Sequence, residues 1–211
     1  TYDFVVPDAG SYWYHPHVRG NEQVERGLYG LFIVRGEEEP SYHRERYFAV
    51  DDILLSEDGI PPFLQSRPEL MHGRRGNVLL TNGTAEVHEL EATKGEVERW
   101  RLVNPSNART MKVSVEGADW RVIGTDGGLL PKPYTTETLE IPVGARYDLE
   151  VRYNQSGTVK LKSHVLTRND QNQVVEEAFE LAKVRVADSS YATPEIEWPE
   201  IVDAVRPVPG K

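Results

Sequence analysis

The stretch TLEIPVGARYDLEVRY, residues 138–153, decides how the fold is read. Tyr147, Leu149, Val151 and Tyr153 alternate with Asp148, Glu150 and Arg152. Successive side chains of a strand point to opposite faces, so this period is that of a half-buried β-strand. Leu139, Ile141 and Val143 alternate in the same way. Met111, Val113 and Val115 repeat the pattern upstream, Val159 and Leu161 continue it downstream, and Leu181 with Val184 and Val186 is a weaker instance. Turn signals fall between these runs: Asn82-Gly83, Asp126-Gly127-Gly128 and Asn154-Gln155-Ser156-Gly157. Strands roughly ten residues apart with turns between them predict an all-β antiparallel sandwich or barrel. No long helical pattern competes, and VVEEAFELAK at 174–183 reads as a short helix or as a strand.

The chain of 211 residues has room for one large domain, or for one ordinary domain plus a piece of another. Residues 1–36 hold three strand-like pieces and an aromatic-histidine stretch, and Gly36 to Pro40 is a polar break. Residues 45–187 carry about nine or ten strand candidates, enough for one complete sandwich. Residues 188–211 are proline-rich, lack alternation and read as a linker or extended tail. Thr1-Tyr2-Asp3-Phe4-Val5-Val6 alternates as though already inside a strand, so the chain is expected to begin within a longer protein. Strands from an incomplete sheet would expose apolar rows and unpaired backbone groups. Residues 1–36 should therefore pack on the sandwich, pair with another copy, or rely on other fragments.

A formal net charge of −10 argues against a nucleic-acid binder or a basic membrane-surface protein, both of which need Lys and Arg to meet phosphate. The chain has no cysteine, which excludes disulfides, iron–sulfur clusters, thiol nucleophiles and a type 1 (blue) copper centre within it. No apolar run is long enough to span a bilayer.

Two of the six histidines stand together in GSYWYHPHVRG, residues 10–20. Residues two apart on a strand share a face, so His15 and His17 should project together from the strand that holds Tyr12, Trp13 and Tyr14. Pro16 removes a backbone donor and places that strand at an edge or bulge. Two neutral imidazoles suit Zn, Cu, Ni or Fe, but three or four ligands are usual and the rest must come from elsewhere. His43, His72, His88 and His164 are dispersed among charged or polar neighbours and read as surface or structural. No Ser–His–Asp order or phosphate loop stands out. Asp51 and Asp52 are adjacent, so on a strand they face opposite sides and read as turn or rim residues rather than an acid/base pair.

In its wider context, GSYWYHPHVRGNEQVERGLYGLFIVRG (10–36) resembles the second copper-binding motif of the multicopper oxidases, the laccase-like family. Aromatics precede His15-Pro16-His17, Gln23 follows, and Gly27, Leu28, Gly30, Phe32, Ile33 and Val34 match the segment that closes the family's first domain. LLTNG (79–83), WRLVNPSNAR (100–109), GTDGGLLPKP (124–133) and residues 138–153 are similar to the second cupredoxin domain of bacterial three-domain members. The resemblance implies a cupredoxin-like Greek-key sandwich over 45–187, preceded by the last strands of a first cupredoxin domain (1–36) and followed by a linker to a third (188–211). It also implies His15 and His17 as ligands of the paired type 3 coppers of a type 2/type 3 trinuclear cluster. The cluster's other six histidines and the type 1 copper ligands are expected outside this chain, so the activity would belong to the whole parent: one-electron oxidation of a small reducing substrate coupled to reduction of dioxygen to water. Partners would be the remaining cupredoxin domains or other chains supplying ligands, and an oligomer completing the site is possible. A periplasmic or secreted location follows from the resemblance alone. The competing expectation is a metal-free cupredoxin- or immunoglobulin-like scaffold that mediates protein contacts.

Overall fold

The computed structural model describes residues 1, 3–36, 39–64, 66–168 and 171–188. The sequence's proline-rich tail at 189–211 lies outside the described residues. Two sheets form a sandwich. One has the order β4(Val78–Thr81)–β3(Arg44–Ile53)–β6(Val97–Val103)–β11(Arg146–Arg152)–β8(Asp119–Thr125)–β9(Gly128–Tyr134). The other has the order β10(Leu139–Ile141)–β7(Met111–Glu116)–β12(Gly157–Arg168)–β13(Val174–Ala187)–β5(His88–Thr93). A two-stranded antiparallel ribbon, β1(Gly10–Tyr14) with β2(Gly30–Val34), sits against the six-stranded sheet. The helices are single short pieces, α1(Gly20–Glu25) between β1 and β2 and α2(Arg67–His72). The fold is the expected all-β cupredoxin-like sandwich.

The alternating residues fill the core. Leu149 and Val151 of β11, Val113 of β7, Leu161 of β12 and Val184 of β13 are all fully buried, packed with Phe48, Trp100 and Leu102. One charged group lies among them. Glu98 Oε2 accepts from Trp100 Nε1 at 2.9 Å and from Tyr153 OH at 2.8 Å, and the Arg46 guanidinium pairs with the same carboxylate. Burial of a carboxylate is tolerated because these donors replace its water.

Several expectations are corrected. The sheets are not wholly antiparallel: β3 pairs parallel to β6, and β13 parallel to β5. The chain leaves one sheet for the other between β3 and β6, so it returns running in the same direction. Residues 174–183, which the sequence left open as helix or strand, are strand. The weak alternation there has a cause: Leu161 opposes Ala182 while Lys162 opposes Glu180, so Leu181 is an extra, bulged residue and both Leu181 and Ala182 are buried. Val143 is not in the strand of Leu139 and Ile141; β10 ends before Pro142, and Val143 is 46% exposed in a turn. The three strand-like pieces of 1–36 resolve into two strands and a helix.

The Asn82-Gly83 turn behaves as expected. Both residues have positive φ (51° and 81°), the signature of a type I′ turn. Thr81 and Thr84 exchange backbone bonds across it at 2.8 and 3.2 Å.

Candidate metal centre

β1 carries Tyr12, Trp13 and Tyr14 and pairs with β2 from Gly10–Val34 to Tyr14–Gly30. The strand stops there. Pro16 has no N–H to continue the ladder, and it restricts the backbone of the residue before it. His15 and His17 thus lie just beyond β1 rather than within it. Arg19 then adopts left-handed φ 48°, ψ 46° as the chain turns into α1. Gln23 secures this turn: its side-chain amide donates to the Val18 carbonyl, and its backbone N–H donates to the Arg19 carbonyl at 3.0 Å.

The two imidazoles remain side by side despite leaving the strand. Their ring centroids are 5.0 Å apart with planes 16° from parallel. The Trp13 indole stacks on the other face of the set, 4.1 Å from the His15 centroid. His15 is half-buried and His17 exposed. His15 Nδ1 lies 3.3 Å from the Pro16 carbonyl oxygen, which can only accept. A hydrogen bond here requires the proton on Nδ1, which leaves Nε2 as the unprotonated nitrogen.

The β1–β2 ribbon and α1 are held to the sandwich by polar groups. Ser11 Oγ reaches Asp148 Oδ1 at 2.6 Å, and Arg146 Nε reaches the Ser11 carbonyl at 3.0 Å. Glu25 at the end of α1 accepts from Leu54 N–H (2.9 Å), Arg74 Nε (3.1 Å) and Asn107 Nδ2 (2.7 Å). Tyr29 OH donates to Asp51 at 2.8 Å, and Arg109 Nε to Asp52 at 2.5 Å. Asp51 and Asp52 are thus interior residues of β3, 4% and 3% exposed, and not the turn or rim residues expected from their adjacency. Burial pushes the Asp51 carboxyl up to about 6 in spite of the Tyr29 hydrogen bond. These contacts answer the question of the exposed edge on one side: the ribbon packs on the six-stranded sheet. Phe4, Val5, Val18 and Leu28 stay exposed.

The remaining histidines are structural or peripheral. His43 Nδ1 accepts the Val97 N–H at 3.0 Å, and His88 Nε2 donates to the Thr81 carbonyl at 2.8 Å. His72 is exposed. His164 Nε2 meets Ser114 Oγ at 2.8 Å, and its Nδ1 is 3.8 Å from Glu176. Ser114 is 6% exposed in the middle of β7, so this trio offers no accessible nucleophile. Among the described residues, no three or more His, Cys, Asp or Glu gather where they could hold a metal ion. His15 and His17 suit copper in donor type and lie side by side, but two imidazoles are fewer than the three or four ligands a metal site usually has.

The parallel closure of the sandwich and an aromatic-flanked His-Pro-His at its edge define a protein of the cupredoxin class. Residues 47–178 match a family model described as multicopper oxidase, and residues 1–39 match a second model of the same description. The chain belongs to the multicopper oxidase family. Cell division protein FtsP of Xenorhabdus nematophila is 31% identical over 167 residues, covering 74% of this chain and 35% of that protein. A multicopper oxidase structure from Pseudomonas thermotolerans superposes with a TM-score of 0.73 at 28% identity, over 90% of this chain and 44% of that one. A second, from Pseudomonas parafulva, gives 0.71 at 30% identity over 93% and 45%. The chain spans about a third of the length of the curated relatives it matches. Among the described residues, no helix is long and apolar enough to cross a membrane.

Proposed function

We propose that this chain is the part of a copper-dependent oxidase that contributes His15 and His17 to a shared copper cluster. In this reading residues 1–36 end one cupredoxin domain, 45–187 form a second, and 188–211 lead toward a third. The observation that carries it is the stacked imidazole pair, with the His15 proton directed to the Pro16 carbonyl. Copper would supply one-electron redox chemistry there. Imidazole nitrogen is a good donor to copper, and two rings held in parallel can meet two metal ions at a set separation. The other ligands would come from further cupredoxin domains or from other chains. The whole protein would pass electrons from a small reducing substrate to dioxygen, giving water. A periplasmic or secreted location accompanies this reading by family likeness.

A second reading is a metal-free scaffold. It is favoured by the relative named as a cell division protein and by the extent of buried polar contact that the sandwich offers to the β1–β2 ribbon. Copper loading of the 211-residue chain followed by native mass spectrometry separates the two. The oxidase reading expects copper to be retained, in a monomer or an assembly, and lost in the His15→Ala/His17→Ala variant. Copper retained equally by that variant would leave the scaffold, and a single copper-free chain would mean that this piece alone holds no site.

A further inference from the structure

The His pair is not positioned by its own strand alone. The β10–β11 connection, Pro142-Val143-Gly144-Ala145, is a tight turn closed by Ala145 N–H to the Pro142 carbonyl at 3.0 Å. Gly144 sits at its third position with φ 78°, a conformation that requires glycine in this turn type. A Cβ built on Gly144 would lie 3.8 Å from Trp13 Cζ2, so the turn abuts the indole. Arg146, the first residue of β11, ties the same turn to β1. Its Nη1 donates to the Gly144 carbonyl at 3.0 Å, its Nε donates to the Ser11 carbonyl at 3.0 Å, and its guanidinium lies 5.9 Å from the Tyr12 ring centroid. Asp126 Oδ1 pairs with the same Nη1 at 3.2 Å and accepts the Arg146 backbone N–H at 2.6 Å. The indole is thus trapped between the turn and the His15 ring, 4.1 Å away.

The geometry points to a clamp in which Arg146 and the Gly144 turn hold Trp13, and Trp13 sets the plane of the His15 imidazole. Trp13 and Arg146 are positioning residues: neither offers a metal ligand, and both act on one. The sandwich would then determine the geometry of a metal ligand it does not itself carry. The metal half of this inference rests on the proposed copper role of His15; the clamp itself does not.

The test uses the 211-residue chain with Trp13→Leu, Trp13→Phe, Arg146→Ala and the Trp13→Leu/Arg146→Ala double variant, each checked for intact sheet structure by circular dichroism. In the metal-free protein, NMR relaxation of the His15 ring Cε1–H reports its order directly. Trp13→Leu and Arg146→Ala should each loosen that ring, Trp13→Phe should keep most of its order, and the double variant should be no looser than the worse single variant, as expected for residues acting in series. Cu(II) titration should show affinity weakened on the order of ten-fold in the loosening variants, the scale of lost ligand orientation. A His15 ring as ordered in Trp13→Leu and Arg146→Ala as in the unaltered chain would overturn the clamp. If the ring loosens as expected but the unaltered chain takes up no copper, the clamp stands and copper binding by this chain alone falls.

Discussion

The Ser11 hydroxyl donates to Asp148 Oδ1 at 2.6 Å, joining residues 137 positions apart in the chain. Asp148 also receives Arg99 Nη2 at 2.6 Å and Arg101 Nη1 at 3.3 Å, and Arg101 Nη1 returns to Ser11 Oγ at 3.0 Å. All four side chains are essentially withdrawn from water. Asp148→Ala would leave two buried guanidinium groups short of a counter-charge, with Glu39 and Glu45 still beside them. A loss of about 3 kcal/mol is expected, read as a lower urea midpoint. Ser11→Ala removes one neutral donor and should cost about 1 kcal/mol.

Asp51 makes stability depend on pH in an unusual direction. Its folded-state carboxyl titrates near 6, above its ordinary 3.8, chiefly because burial penalises the charge. Between those values the folded state binds more protons than the unfolded one, so this group destabilises the fold as pH rises through that window. Asp51→Asn should therefore raise stability at pH 7 relative to pH 5 when compared with the unaltered protein. Chemical denaturation at the two pH values measures the difference, and an equal effect at both would refute the assignment.

Glu45 works in the opposite sense. Burial pushes its carboxyl up, but hydrogen bonds from Arg35 and Arg101 bring it down to about 2. Its contribution is present above its ordinary pKa of 4.5 and is lost as pH falls toward 2. Glu45→Gln should flatten the acid limb of a stability profile below pH 4.5 and leave the limb above it unchanged.

Glu25 is the anchor of α1. Its carboxylate serves Leu54, Arg74 and Asn107 together, and the Arg74 side chain is only 4% exposed. Glu25→Ala should cost about 3 kcal/mol by leaving that buried cation with Glu69 as its remaining carboxylate partner. Hydrogen exchange should quicken across α1 and β2 before it quickens in β6 or β11. Uniform acceleration across the whole chain would contradict this local anchoring.

Gly76 is placed where no side chain fits. A Cβ there would lie 2.4 Å from the Ile53 backbone nitrogen, and the Gly76 N–H already donates to Asp52 at 2.7 Å. Gly76→Ala forces one of these backbones to move and should cost about 1–3 kcal/mol, visible as a lowered melting temperature. Gly59→Ala is the contrast, because space around it is open and only its φ of 98° opposes the change.

The sequence by itself determined the fold class and the candidate ligands. The alternation at Tyr147, Leu149 and Val151 places every second residue in the core, because a strand has only two faces. His15 and His17 are two apart in the chain, so the extended backbone that Pro16 imposes brings them to one side. Tertiary structure alone decided the rest. All seven residues of β6, VERWRLV, are buried, three of them charged. Arg99 and Arg101 lose their water because Ser11, Glu39, Glu45 and Asp148 arrive from three separate parts of the chain to replace it. The same holds for Trp13: its place two residues before His15 was visible, but the turn and the arginine that trap it lie about 130 residues away. Burial of a charge and clamping of a ring depend on which groups converge in space, and period and composition carry no record of that convergence.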